Sequence, residues 1–306
     1  FCLSRGLGDV YKRQVLCSTN QYILSDANGI IINGAENDNV DGLTYNADDV
    51  KEGNILLFTA GENECDKAVV LTLDNIMSAI SYINAHCNCT EDDRVLAQIE
   101  LSKIFGLLYC LIWPLSCGAC ICVGRGLRHI DADTYYYDAT ILPANPSMAE
   151  YLKKIKGFND NLKNIIIGGA PCPYHLYECL RDRDINVSSV YGTAESTGCI
   201  AINYDEDGSY EPFADNTLKL SDDGEILLSG GCVMKGYYND EVQTERKLKG
   251  GYLHTGDYGR INSSGRLVIT KRNPAIISLP TGEKICRNVI NLSLIHISEP
   301  TRQAEI

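Results

Sequence analysis

One tryptophan, three methionines and nine prolines are spread over 306 residues, and no apolar run is long. The longest candidate, Ile104 to Leu115, is broken by Gly106 and Pro114. It falls short of the roughly 20 apolar residues that a membrane-spanning helix needs. Basic residues are in deficit: 27 Lys and Arg face 40 Asp and Glu, for a formal charge of −13. So acidic a body lacks the positive stripe that grips a phosphate backbone, which argues against nonspecific nucleic-acid binding. Paired CxxC knuckles are missing too. The 14 cysteines include the spacings Cys87-x-Cys89 and Cys117-x2-Cys120-x-Cys122, and most sit inside apolar runs such as CGACICV. That pattern suits small buried hydrophobes in a reducing, cytoplasmic compartment, not a zinc or iron–sulfur centre.

The two ends carry a different kind of information. SRGLGDVYKRQ (Ser4 to Gln14) and LSLIHISEPTR (Leu292 to Arg302) are complementary at the codon level. Gln14 as CAG reads on the opposite strand as CTG, Leu292, and the pairing runs without a miss to Ser4 with Arg302. Residues 1–14, and 292–306 at least as far as 302, therefore read as translated sequencing adapters flanking an insert, and are set aside from fold reasoning. The expectation is an insert cut at both ends.

Within the insert, apolar runs and helical spacing alternate. Asn54–Phe58, Ala68–Thr72, Ala119–Val123, Asn164–Ile167 and Asn186–Tyr191 read as strands. Leu73–Asn84, Ile99–Leu115, Met148–Lys156 (with Ser147 as N-cap) and Tyr174–Asp182 read as helices. This predicts an α/β core over 15–203, a mainly parallel layered sheet covered by helices. After Asn203 the texture changes to short strands between turn signals. Thr217–Leu220 and Glu225–Ser229 flank SDDG, and Asp257–Ile261 and Arg266–Thr270 flank NSSG. An antiparallel meander, a small partial barrel, is expected over 204–275, followed at 276–291 by the start of a linker.

Several stretches could carry chemistry. Gly168-Gly169-Ala170-Pro171 follows a buried strand and precedes a helix, where glycines let a ligand approach the backbone. Tyr191-Gly192-Thr193-Ala194-Glu195 stands at another strand's carboxyl end, the usual ligand edge of an open α/β sheet. An aromatic ring there can stack on a base, and a Glu can hold Mg²⁺ near phosphates. Asp257, after Thr255-Gly256, can accept two ribose hydroxyls, and Arg272 closes the last strand. Each alone is equally an ordinary turn or surface residue.

Their order, together with GEILLSGGCVMKGYYND, GYLHTGDYGRINSSGRLVITKR and IISLPTGEKI, resembles the adenylate-forming superfamily of acyl-CoA synthetases, luciferases and peptide-synthetase adenylation domains. LSCGACICVGRGLRHI looks most like the long-chain acyl-CoA synthetase branch. The resemblance spans about residues 50–290 and implies the family's large N-terminal domain, incomplete. It implies ATP or AMP and Mg²⁺ as cofactors, a carboxylic acid substrate, and coenzyme A or a carrier-protein pantetheine as thiol acceptor. Gly168, Gly169, Ala170, Tyr191, Gly192, Thr193, Asp257 and Arg272 would hold the nucleotide, and Glu195 the metal. The family's catalytic Lys belongs to a C-terminal domain, and no residue here takes that role.

The same resemblance exposes departures. The family's phosphate loop reads roughly T-S-G-T-T-G-x-P-K. Here Thr59, Gly61 and Lys67 match, but Glu62, Glu64 and Asp66 intervene. Like charges about 4 Å apart cost roughly 4 kcal/mol at an effective dielectric near 20. Glu100-Leu101-Ser102-Lys103 stands at the acyl gate where the branch has Pro-x-His-His. Ala194 replaces a Thr before the metal Glu, and Ala275 replaces the hinge residue. Two readings follow: an AMP-forming ligase, or a degenerate homologue that binds an acyl group, AMP or a partner protein without turnover.

Overall fold

The structure, a computed structural model, describes residues 54–59, 67–154, 159–205, 207–213, 218–272 and 276–281, with the backbone of strands 23–26, 29–32 and 284–286. Both adapter-like ends lie outside these residues. A first sheet contains β1 (Ile23–Asp26), β2 (Gly29–Ile32), β3 (Asn54–Thr59) and β4 (Lys67–Leu71). β3 and β4 pair antiparallel, with Thr59 directly opposite Lys67. Seven residues separate them in sequence, too few for the crossover that parallel neighbours require.

α1 (Leu73–His86) starts at a reciprocal cap: Asn75 N donates to Thr72 Oγ1 at 3.2 Å, and Thr72 N to Asn75 Oδ1 at 2.9 Å. Its Ile76, Ile80 and Ile83 are buried at helical spacing. β5 (Arg94–Ala97), β6 (Cys120–Val123), β7 (Ile141–Ala144), β8 (Asn164–Ile167) and β9 (Asn186–Tyr191) form the parallel part of a second sheet, in the order β9-β8-β7-β5-β6. Side chains alternate across it. Val95, Ile141 and Ile166 join the core cluster that also takes in α1, while Leu96, Leu142, Ile165 and Ile167 belong to a second cluster with helices on the opposite face. The central strands β7 and β8 are buried on both faces, which is why β8 reads as an apolar run.

The expected helix Ile99–Leu115 is corrected. Residues 106–112 form a π-helix that runs into α2 (Trp113–Ser116). Leu107, Leu108, Tyr109 and Cys110 are consecutively buried, and Trp113 is anchored by its Nε1–H to Asn84 Oδ1 at 2.8 Å. Gly106 permits the close entry, because a Cβ there would lie 2.1 Å from the Glu100 carbonyl oxygen. α3 (Ile130–Tyr136) follows, then α4 (Pro146–Lys154). Asn145, not Ser147, caps α4: its Oδ1 accepts from Met148 N at 2.8 Å. Pro146 explains the shift, since its fixed φ and missing N–H suit a helix's first position. α5 (His175–Arg181) is the helix after the GGAP turn.

β10 (Ala201–Asn203) and β11 (Ser209–Pro212) join this sheet antiparallel and carry it into β12 (Leu218–Leu220), β13 (Glu225–Leu228), β15 (Leu253–Ile261) and β16 (Leu267–Lys271). The meander is thus continuous with the parallel strands in one 11-stranded sheet. β14 (Gly236–Tyr237) leaves it to pair with β4, and α6 (Glu241–Lys247) follows. β17 (Ile276–Ser278) and β18 (Lys284–Cys286) form a separate hairpin. Its connection touches α4, with Ser147 N donating to the Pro280 carbonyl at 3.2 Å and Asn145 Nδ2 to that of Thr281 at 3.0 Å. Among the described residues no helix is long and apolar enough to cross a membrane.

Candidate functional site

Two clusters of side chains form where β9 ends. Tyr191 is its last residue, and its hydroxyl donates to Asp257 Oδ2 at 2.8 Å. Arg272, just past β16, donates from Nη1 to the same oxygen at 2.8 Å and lies with its guanidinium carbon 4.7 Å from the centre of the Tyr191 ring. Asp257 is only 6% exposed. Its N–H donates to Thr255 Oγ1 at 3.1 Å, and that hydroxyl donates to the Ile226 carbonyl at 2.8 Å. Glu225 fixes the preceding residues, accepting from Gly256 N and pairing with His254 Nδ1, both at 2.8 Å. Burial raises the Tyr191 phenol well above its usual pKa, and the Asp257 charge adds to this; Arg272 opposes it. Tyr191 therefore remains a donor at any physiological pH.

Through Arg272 this cluster reaches a cavity of about 260 Å³ between the start of α5 and the end of β16. Pro171, Cys172, Tyr177, Tyr210, Ile269 and Arg272 are among its walls. Tyr177 donates to Ser189 Oγ at 2.5 Å, and Ser189 to Tyr210 Oη at 3.4 Å, so polar groups lie in one connected network. The Cys172 thiol is pushed up to about 12 by burial, which makes it a wall and not a nucleophile. The GGAP turn leads into this cavity. Gly169 has φ +83° and is exposed, and Ala170 is half-buried. Gly168 serves packing: a Cβ there would lie 2.4 Å from the Phe105 ring. α5, which follows the turn, has seven residues and carries Glu178 in its first turn.

The second cluster surrounds Glu195. Gly192 brings the chain against Gly198, where a Cβ would sit 2.2 Å from the carbonyl. Thr193 then caps a 3₁₀ turn, Ala194–Ser196, by exchanging hydrogen bonds with Ser196. Glu195 Oε1 accepts from the Tyr237 hydroxyl at 2.8 Å, and the Lys67 ammonium lies 5.0 Å from the centre of the Tyr237 ring. Lys67 and Thr59 face each other at the hairpin mouth, while Gly61 and the three loop carboxylates lie outside the described residues. So the fold unites Tyr191, Asp257 and Arg272 directly. It links Lys67 to Glu195 through Tyr237, a residue that sequence reasoning passed over although it sits in the quoted run GGCVMKGYYND. Ile269 and Tyr210 were passed over as well.

Among the described residues no three His, Cys, Asp or Glu side chains form a metal cage. Mg²⁺ does not need one. It commonly takes one or two carboxylates together with substrate phosphates, and a half-buried, hydrogen-bonded Glu195 suits that donor set.

Residues 46–238 match the family profile described as AMP-binding enzyme. The chain is 29% identical to the acyl-CoA synthetase ALT10 of Alternaria alternata, over 76% of this chain and 50% of that protein. The o-succinylbenzoate CoA synthetase of Bacillus subtilis, bound to a product analogue, superimposes with a TM-score of 0.70 at 25% identity, covering 80% of this chain and 54% of the other. The same enzyme in complex with ATP and magnesium ion gives 0.66 at 26%, over 80% and 55%. The chain spans about half the length of such relatives.

Proposed function

This chain belongs to the AMP-binding enzyme family, and on that premise we propose that it holds the adenylate end of an AMP-forming acid–thiol ligation. In that reaction a carboxylic acid attacks the α-phosphate of ATP, an acyl adenylate forms and pyrophosphate departs. A thiol, coenzyme A or a pantetheine, then takes the acyl group and AMP leaves. The single observation that carries the reading is the Tyr191–Asp257–Arg272 cluster, drawn from three distant stretches, whose Arg272 lines a cavity together with Pro171 of the GGAP turn. Asp257 has the chemistry to accept ribose hydroxyls, with Tyr191 and Arg272 fixing its orientation. The cavity, below the ~300–1,000 Å³ of drug-sized pockets, suits part of a nucleotide. Glu195 would supply the carboxylate to Mg²⁺, whose chemistry is to neutralise polyphosphate charge. Lys67 lies on the same side and would add a cation.

Glu62, Glu64 and Asp66 support a second reading of the same site, in which AMP or an acyl adenylate binds at least as well as ATP. Titration calorimetry with AMP and with Mg-ATP tests both. The site reading expects AMP to bind and Asp257→Asn to weaken it tenfold or more. Absence of AMP binding by a folded chain would sink it. Restoring the family's residues (Glu62→Thr, Asn63→Thr, Glu64→Gly) should raise ATP affinity and leave AMP affinity nearly unchanged. Tight Mg-ATP binding by the unaltered chain, with acid-dependent pyrophosphate release, favours the ligase.

A further inference from the structure

Tyr237 is placed with unusual redundancy. Its strand pairs with β4, setting Tyr237 opposite Val69. Its N–H donates to Thr244 Oγ1 at 2.9 Å, and Thr244 Oγ1 donates in turn to the Asp240 carbonyl at 2.8 Å. The side chain is 6% exposed. The segment leading to it is clamped from two sides, by α1 and by the turn after β9: Asn75 Nδ2 donates to the Gly231 and Val233 carbonyls at 2.7 and 2.8 Å, and Thr197 Oγ1 to that of Cys232 at 2.6 Å. Met234 N donates to the Glu195 main-chain carbonyl at 2.8 Å, so the backbones carrying the phenol and the carboxylate are themselves bonded. A core tyrosine needs only some acceptor for its hydroxyl. This one takes a carboxylate oxygen, and its ring face meets the one lysine that the phosphate loop shares with its family.

We propose that Tyr237 is a positioning residue for Glu195 and Lys67, deepening the adenylate-site reading on which it rests. The phenol fixes one carboxylate oxygen, which sets the rotation of the carboxylate toward a divalent cation carried by a polyphosphate. The ring face fixes where the Lys67 ammonium stands relative to that cation. Mg²⁺ tolerates little deviation from octahedral geometry, so a carboxylate held in one rotation binds it better than one that turns. Hydrogen-bond partners of ligating groups typically contribute 10–100-fold to metal affinity.

Mn²⁺ replaces Mg²⁺ as a paramagnetic probe, titrated by electron paramagnetic resonance into the full chain with ATP present. Tyr237→Phe keeps the ring under Lys67 and removes only the hydroxyl. The expected result is a tenfold or greater rise in the Kd for Mn²⁺, with AMP affinity in the absence of metal changed less than twofold. A folded Tyr237→Phe chain with unchanged Mn²⁺ affinity overturns the proposal. Action through Glu195 is read from the second variant: Glu195→Gln should weaken Mn²⁺, and adding Tyr237→Phe should then do nothing more. Additive losses overturn the proposal. An unaltered chain that binds AMP but no Mn²⁺ overturns it while leaving the adenylate reading intact; one that binds neither overturns both.

Discussion

Asp257 shows how one side chain can be held ready. A carboxylate 6% exposed must be compensated, and here a phenol and a guanidinium both donate to Oδ2. The Arg272 guanidinium also lies over the Tyr191 ring, 4.7 Å from its centre, a contact that Arg makes more often than Lys. Such a contact contributes about 0.5–1 kcal/mol where part-exposed. Arg272→Lys should therefore weaken AMP binding roughly two- to fivefold in calorimetry, while Arg272→Ala should weaken it further by leaving less positive charge at Asp257. An unchanged affinity in both would remove Arg272 from the site. Four thiols share one behaviour at this scale. Burial pushes Cys87, Cys110, Cys172 and Cys232 up to about 12. At pH 8 they should resist iodoacetamide in the native chain and react after denaturation, as peptide masses would record. Rapid native labelling of Cys172 would contradict the wall assigned to it.

Elements are where neighbouring constraints meet, and the contact between the π-helix approach and the GGAP turn is the most exacting. Gly168→Ala drives a methyl into the Phe105 ring. A cost of about 1–3 kcal/mol in urea unfolding is expected from overpacking. Phe105→Leu, mildly destabilising alone, should recover part of that loss in the double variant, because the two residues share one contact. Strict additivity would mean that the ring moves aside freely. The same scale shows what the sequence could and could not disclose. β8 and β9 were legible to the residue, because both faces are covered and the apolar runs end at polar turns. β5 and β7 were not: β5 opens on the exposed Arg94, and Pro143 in β7 reads as a breaker although the strand is fully buried. The π geometry has no periodic signature, and the Asn145 cap was hidden behind a nearer Ser147. In the site, motif order pointed to Tyr191, Asp257, Arg272 and Glu195. Tyr237 could not be found that way, since its partners lie 42 residues earlier at Glu195 and farther still at Lys67.

At the scale of the molecule, the second sheet runs unbroken from the parallel strands through β10 and β11 into the meander. A defect in the meander should therefore be felt across the sheet. Leu267 is fully buried in β16, and Leu267→Ala should cost about 2–5 kcal/mol. Trp113, the one tryptophan, reports from beside the parallel strands. Its fluorescence and far-ultraviolet circular dichroism should lose structure at the same, lowered urea midpoint. A tryptophan midpoint that stays put while the dichroism midpoint falls would make the meander an independent unit.

The β4–β14 ladder has a consequence in time. It brings residue 69 against residue 237, and closing a chain loop of that size carries an entropic cost of roughly 4–5 kcal/mol before any reward arrives. Contacts so distant in sequence form late. During synthesis, Lys67 waits beside an unfinished hairpin until Tyr237 has emerged. Asp257 and Arg272 emerge later still, and a chain stalled before β14 would carry Lys67 and Glu195 without the phenol that joins them.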